Sequence, residues 1–543
     1  MKLNKTIVIS SLLVTAVAGC TKLDEKLNDS FVLTAGSGGS TAAGILTHTY
    51  NDLGPVFTNQ DQVFSLEENT TDECLVPTRG GDWDDNGVWR VLHAHAWDAT
   101  HGQSSTVFNN LGALESDATT VLALNPTPAQ TAQAIFLRSL AQFYFLDLYG
   151  QVPYRTVANY NSIGVAPVMT PDQAIDTLVT NLTNVIPQLS STYSPYIASA
   201  DAARFLLMKV LLNKQAFLNR SSPAAQDAND MKTVHALGAA IMASGNYHLT
   251  TNYFDNFGPN NGGFGVAGTG NPSTELILAY PNNGTASYNG VSNVDIDARW
   301  MMTLHYNSWD KPGVVGSAGW NGFSTIADVY NAFDPTDTRR GNVPYPAPNG
   351  AGVSPISGLN VGMAEGQQKD ENGNNIMDRK GNLLVFAPTV ALVETDVKTL
   401  EGDGIRVLKY YPDYNNYTGT ASNNLVLFRY ADVLLMMAEA DLSGAGTGDA
   451  LTLVNQLHTA RGAAPLATIT LVNKSNLYDG TTILEERQKE LYWESWRRQD
   501  LIRLQVFLLP WALKTTDNPK YLLFPIPAAQ LVANPNLKQN PGY

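Results

Sequence analysis

Nine tryptophans and 23 tyrosines are the side chains of this sequence best suited to chemistry, and the chemistry is recognition. Two groups stand out. The first holds Asp72, Arg79, Trp83, Trp89 and Trp97, and the second Trp300, Tyr306, Trp309 and Trp320. Flat aromatic faces stack on the C–H faces of pyranose rings, while carboxylates, amides and guanidinium groups read the hydroxyls. Both groups therefore have the makings of a site for a neutral sugar. Trp83, Trp89 and Trp97 have a second reading, as core residues of a first helix pair. Arg406, near Lys409, offers either a bidentate fork to a sugar or an acid, or one half of a structural ion pair.

Other chemistry is less well supported. Glu485, Glu486, Glu490 and Glu494 crowd one helical stretch. Glycoside hydrolysis needs two carboxyl groups about 5–9.5 Å apart across a cleft, and acids on one helix with Arg or Lys a turn away read as structural. His93, His95 and His101 lie near Asp84 and Asp85, but an i,i+2 pair does not share a helix face, so packing or capping is the expectation. Asp370, Asn372, Asn374 and Asp378 resemble part of a calcium loop. Asn375 and Gly381 occupy the positions where an EF-hand has Gly and Glu, so Lys380-Gly381-Asn382 reads better as a hairpin turn. No GxSxG or Walker A motif is present.

Cys20 is the other reactive candidate. Lys2 and Lys5 precede an apolar run that ends in Val17-Ala18-Gly19-Cys20. This is the layout of a secretory signal, too short to span a bilayer. Small residues directly before a cysteine resemble a bacterial lipobox, where cleavage leaves the Cys at the N-terminus with lipid on its thiol. The plainer reading is a signal peptide with a chance Cys. Lipidation of Cys20 would leave Cys74 without an intramolecular disulfide partner and expected as a buried free thiol; a zinc site built on thiolates is excluded. Loss of Lys2 and Lys5 with the signal takes the formal charge from −15 to −17. Such a surface repels nucleic acids and other polyanions.

These groups must be held by elements that the pattern partly reveals. Residues 1–19 read as the signal, 20–45 as a flexible leader with a Gly-Ser patch, and 46–543 as one domain. Within it, 46–245 is a helical block, 246–425 a loop-rich insert and 426–543 a second helical block. Thr127 with Gln130 forms a capping box before a helix from Pro128 to Tyr149, and Gly150 closes it. Helices are also predicted over 172–188, 201–219, 231–244, 428–442 and 449–461, and the longest over 482–507. In that last helix Glu485–Lys489 and Glu494–Arg498 are spaced as i,i+4 pairs. The insert is rich in Gly, Asn, Pro and Tyr, with short strands predicted at 275–280 and 383–386. Paired helices flanking such an insert suggest a helical-repeat scaffold with a grafted binding region.

Six segments together resemble the SusD-like (RagB/SusD) nutrient-binding lipoproteins of Bacteroidetes. They are Thr71-Asp72-Glu73 with Pro77 to Trp83 and on to Trp97; Leu137-Arg138 through Tyr144 to Pro153; Gly404-Ile405-Arg406-Val407; Phe428-Arg429-Tyr430-Ala431-Asp432 to Ala440; Glu486-Arg487 with Trp496-Arg497-Arg498 and Asp500-Leu501; and Pro525-Ile526-Pro527 through Tyr543. One departure is Glu494-Ser495-Trp496, where the family usually has a Glu-Gly pair. The resemblance implies a mostly α fold of tetratricopeptide-like helix pairs carrying the loop-rich insert. It implies a non-catalytic protein, lipid-anchored in the outer membrane and facing the exterior, with Lys22-Leu23-Asp24-Glu25 similar to the surface-export signal. It further implies capture of an oligosaccharide or other nutrient, and delivery to a partner SusC-like TonB-dependent transporter. By the same resemblance, one ligand-contacting tryptophan is expected from the first group, Trp97 or Trp89, and others from Trp300, Trp309 or Trp320. A lipid-anchored carbohydrate-active enzyme and a protein-binding adaptor are the alternatives.

Overall fold

The computed structural model describes residues 41–543 apart from 163, 265–270, 286, 295, 308–317, 345–359, 371–372, 414–420 and 515–517. Cys20, Trp309 and Asn372, and the signal and nearly all of the leader, lie outside the described residues. Residues 42–543 form one compact unit.

The scaffold is a succession of helices, each packed on its neighbour in sequence. Helix α1 (Ala42–Asn51) starts within the stretch read as leader. Helix α2 (Gly102–Ala123) packs along α3 (Pro128–Tyr149), which packs on α4 (Pro171–Val185); α5 (Ala200–Leu218) and α6 (Ala228–Ala243) continue the series. In α3 the Thr127 hydroxyl accepts from the Gln130 amide, the Gln130 side chain accepts from the Thr127 amide, and Gly150 ends the helix at φ +68°. That reciprocal pairing satisfies two of the amides every helix start leaves open. Helix α2 has no such signal. Its N-cap, His101, makes no side-chain cap bond, and Gly102, Gly112 and a run of Ser and Thr blur its apolar stripe, so it escaped the sequence pattern.

The second helical block contains α7 (Tyr430–Ala440), α8 (Ala450–Ala460), α9 (Ile483–Leu491) and α10 (Arg497–Arg503). The single helix predicted over 482–507 is thus broken. Trp493 and Ser495 take left-handed backbone (φ +58° and +67°) between α9 and α10. The break turns Glu494 inward. It pairs with Arg429 (2.7 Å) and Lys409 (2.6 Å), while Arg498 donates to the carbonyls of Tyr521 and Leu522, so the expected Glu494–Arg498 pair does not form. Glu485 and Lys489 do pair, at 2.7 Å.

The insert joins this scaffold through strands. Strand β1 (Leu276–Tyr280) lies antiparallel to β5 (Leu425–Arg429), which runs directly into α7. Strands β2 (Gly341–Pro344), β3 (Asn360–Ala364) and β4 (Arg406–Leu408) form an antiparallel sheet in the order β4-β3-β2. The predicted strand at 383–386 is Val385–Phe386, paired with Gly366–Gln367. One hydrophobic core runs through both helical blocks and the insert, and among the described residues Ala364, Ile376, Leu384 and Phe386 cluster separately. Cys74 is a buried free thiol whose Sγ donates to Asn69 Oδ1.

Candidate functional site

The site begins with a strained turn. Thr78–Arg79 pairs in parallel with Val393–Glu394, and the chain then folds back through an Arg79–Asp82 bridge. Trp83, Asp85 and Asn86 all have positive φ (59°, 39° and 55°). A bulky residue there is a backbone outlier that surrounding contacts must hold in place. Those contacts are visible. Arg90 Nη1 binds Thr78 Oγ1 at 2.7 Å and Asp84 Oδ1 at 2.5 Å, and the Trp89 indole donates to Asp85 Oδ2 at 2.7 Å.

The turn presents Trp83 to the insert. Its indole N–H donates to the Trp320 carbonyl at 2.7 Å, and its ring meets Trp89, Trp320 and Phe323 with centroids 5.3, 6.5 and 5.6 Å away. Gly322 makes the approach possible, since a Cβ there would fall 2.4 Å from the Trp83 ring. Trp320 is fixed through its backbone amide, which donates to the Met301 carbonyl at 2.6 Å. Trp89 and Phe323 are buried beneath, while Trp83 and Trp320 keep part of their faces open.

Polar groups border these rings. The Tyr306 hydroxyl donates to Asp82 Oδ2 at 2.7 Å, and the Arg379 guanidinium lies 3.8 Å from the Tyr306 ring centroid. Arg379 also binds Asp82 at 2.5 Å and Glu401 at 2.6 Å, and Glu401 accepts from His305 at 2.8 Å. The side chains of Arg379 and Asp82 remain 45% and 39% exposed, whereas Glu401 is buried. Partial burial works to raise the Asp82 pKa, but the Tyr306 hydroxyl and the Arg379 guanidinium hold it below the usual carboxylate value. Burial pushes His305 down to about 4 despite Glu401, so it is neutral at pH 7. The result is an ionised carboxylate, a guanidinium and a phenol ring beside half-open indoles: planar hydrogen bonders next to flat faces, as sugar recognition requires.

Arg379 reaches this place on the segment that resembles a calcium loop. Asp370 accepts from the Asn374 amide and side chain, and Asp378 from the amides of Lys380 and Asn382 and the Asn382 side chain. Their carboxylates are spent on two successive turns, the second flanked by the Met377–Leu383 bridge with Gly381 at φ +83°. The hairpin reading describes this geometry. Among the described residues, the carboxyl and imidazole groups close enough to share a metal ion are His48, Asp52 and Asp117, within 4.8 Å of one another. Burial and the neighbouring Asp117 push Asp52 up to about 8, so that pair is largely occupied by a proton at neutral pH.

The structure brings Trp83, Trp89, Tyr306 and Trp320 together and separates the other candidates from them. Asp72 is buried against Arg497 (2.6 Å) and Tyr478 (2.8 Å). Arg79 is buried and donates to the Leu400 carbonyl and Ser324 Oγ. Trp97 stacks on Phe524 at 4.9 Å in the core, and Trp300 is wholly buried. Arg406 is neither a free fork nor an ion pair: it is buried and donates to the carbonyls of Glu401, Asp403 and Gly404 and to Asn321 and Ser324. These five lie in the interior and not on the open face. The histidine rings pack against carbonyls: His93 lies within hydrogen-bond distance of those of Cys74 and Ala512, His95 of that of Thr70, and His101 of that of Val88. Asp82, Arg379 and Glu401 were missed as site residues. Asp82 sits next to Trp83 in sequence, but Arg379 looks like an ordinary turn residue until the hairpin is folded.

The fold has clear counterparts among solved structures. A SusD superfamily protein from Parabacteroides distasonis superposes with a TM-score of 0.67 over 92% of this chain and 98% of its own, at 18% identity. Surface glycan-binding protein A from Bacteroides thetaiotaomicron, solved with laminarihexaose, gives 0.64 over the same shares, also at 18% identity. In sequence, the chain is 24% identical to the starch-binding protein SusD of Bacteroides thetaiotaomicron over 517 residues, covering 88% of this chain and 85% of that one. SusD-like protein P38 of Formosa agariphila is 23% identical over 420 residues, covering 76% and 73%. Residues 239–543 match the profile of the SusD family, and the chain belongs to that family.

Proposed function

We propose that this protein is a surface lipoprotein that captures an oligosaccharide on the Trp83–Trp320–Tyr306 face and hands it to a TonB-dependent outer-membrane transporter. The observation that carries the reading is the convergence of four distant segments, at Asp82-Trp83, Tyr306, Trp320 and Arg379, on one partly exposed face. Indole faces give the stacking surface, and Asp82 and Arg379 give an acceptor and a donor for paired hydroxyls. Two relatives point the same way, one named for starch binding and one solved with a glucan oligosaccharide. Lipid attachment at Cys20 and the transporter partnership rest on the lipobox and on family membership. Binding rather than hydrolysis is favoured because each carboxylate around the rings is engaged by a neighbour: Asp82 by Tyr306 and Arg379, Asp84 by Arg90, Asp85 by the Trp89 indole, and Glu401, which is buried, by Arg379 and His305.

Affinity electrophoresis of the chain begun after Cys20, through gels containing α- or β-glucans and other neutral polysaccharides, tests this reading. Retarded migration without released reducing sugar is expected. Trp320→Ala should weaken retention about tenfold or more, since each factor of ten is about 1.4 kcal/mol. Release of reducing ends would overturn the reading in favour of an enzyme. Absence of retardation across the panel would favour a protein-binding adaptor or a non-glycan nutrient.

A further inference from the structure

A well-formed cavity among the described residues lies between α2, the segment after α3 and the C-terminal stretch. Its volume is about 460 Å³, and Phe108, Glu115, Phe145, Tyr154, Arg155 and Leu537 are among its walls. None of the Trp83 cluster lines it.

Several features show a cavity built for a polar occupant. Along α2, Phe108, Gly112, Glu115 and Ser116 fall at helical spacing and share the cavity face. Gly112 leaves the floor open, since a Cβ there meets nothing within 4 Å. Glu115 is buried, and its carboxylate accepts only long bonds, from Thr119 (3.3 Å), the Arg155 amide (3.4 Å) and Gln142 (3.5 Å). Burial pushes its carboxyl up to about 7, with Arg138 pulling the other way. Arg155 lines the same space, and its Nη1, closed off from solvent, has no hydrogen-bond partner. A buried guanidinium nitrogen with no acceptor is costly, and rotation of this side chain toward the cavity would give it an acceptor on an occupant.

We propose that this cavity binds a small polyhydroxylated carboxylate, of the size and chemistry of a uronic acid or a short oligosaccharide that ends in one. The carboxylate accepts from Arg155, hydroxyls pair with Glu115, and the C–H face of the ring packs on Phe108, Phe145 and Tyr154. A volume of this size matches the lower part of the range of small-molecule sites. The site is separate from the aromatic face described above, and the proposal does not depend on what that face binds.

Isothermal titration of the soluble chain with glucuronate and galacturonate, against glucose and galactose as neutral controls, tests this. Uronate binding detectable at about 10 mM or below, with the neutral sugars weaker by about tenfold or more, is expected. Arg155→Met removes the guanidinium without breaking any bond inside the protein, so it should keep the parent melting temperature and lose uronate binding. Gly112→Leu fills the floor from a position where a helix welcomes a side chain, and it should abolish binding without loss of stability. Retention of a neutral polysaccharide by both variants confirms that the aromatic face is intact, and so separates failure here from failure there. No uronate binding by the parent chain, equal binding of neutral sugars, or unchanged binding by both variants would overturn the proposal.

Discussion

Trp83 carries backbone strain at the proposed binding face. Its left-handed backbone and its hydrogen bond to Trp320 hold an indole at the rim instead of in the core, which Trp97 and Trp300 occupy. Arg379 is its polar complement. Its pair with Asp82 is half-exposed and contributes little to stability, while its pair with Glu401 serves a buried carboxylate that His305 and the Arg379 amide also bind. Arg379→Met should therefore cost about 1–3 kcal/mol at the Glu401 carboxylate and weaken polysaccharide retention. A large stability loss with unaltered retention would make Arg379 merely structural. Ser495 carries strain of a different sort. Its φ of +67° is a conformation that suits glycine, which gives a physical reason for the glycine usual at this place in the family. Ser495→Gly should raise stability by about 0.5–1 kcal/mol in chemical denaturation, and an unchanged or lowered midpoint would discount the strain.

At the scale of elements, the legible parts were those with local signals. Thr127, Pro128, Gln130 and Gly150 fixed α3 to the residue. Asp227, which caps α6, and Gly462, with φ +69° after α8, mark ends that the pattern also found to within a few residues. Helix α2 was hidden because its start has no cap, and the break between α9 and α10 because its cause is tertiary. Glu490 is wholly buried and binds Arg339, Arg429 and Arg461, while Glu275 shares Arg429 and Arg461. No window of sequence around residue 490 announces partners near 275, 339 and 429. The aromatic site was half-legible for the same reason: the types Trp and Tyr were visible, but burial sorted Trp83 and Trp320 from Trp97 and Trp300. The network also predicts a cost. Glu490→Gln leaves three buried guanidinium groups undercompensated, and should destabilise by about 3–5 kcal/mol in denaturant unfolding. A loss below about 1 kcal/mol would mean that the remaining carboxylates suffice.

The whole molecule gathers these groups into a pH response. Burial pushes Glu73 and Glu115 up to about 7 and, with Asp117 as neighbour, Asp52 up to about 8. Glu67 and Glu68 are raised as well, by burial and by the nearby carboxyls of Asp147 and Glu73. Their unfolded values are near 4, so the folded chain holds protons that the unfolded chain has released, and this stabilisation is lost as pH rises through 7 to 8. The buried histidines, His93, His95 and His305, are shifted down and oppose this only below about pH 6.5. The melting temperature should therefore fall between about pH 6.5 and 8, and a flat or rising profile there would contradict the burial of these acids. Buried contacts also tie residues 68–97 to residues 495–524. Asp72 is neutralised by Arg497, Glu68 accepts from the Ser495 amide, and Trp97 is covered by Tyr521 and Phe524. A polypeptide that emerges N-terminus first cannot close its first hundred residues until the last fifty have arrived. A chain cut short before Arg497 should therefore remain protease-sensitive in its N-terminal segment instead of leaving a stable N-terminal half.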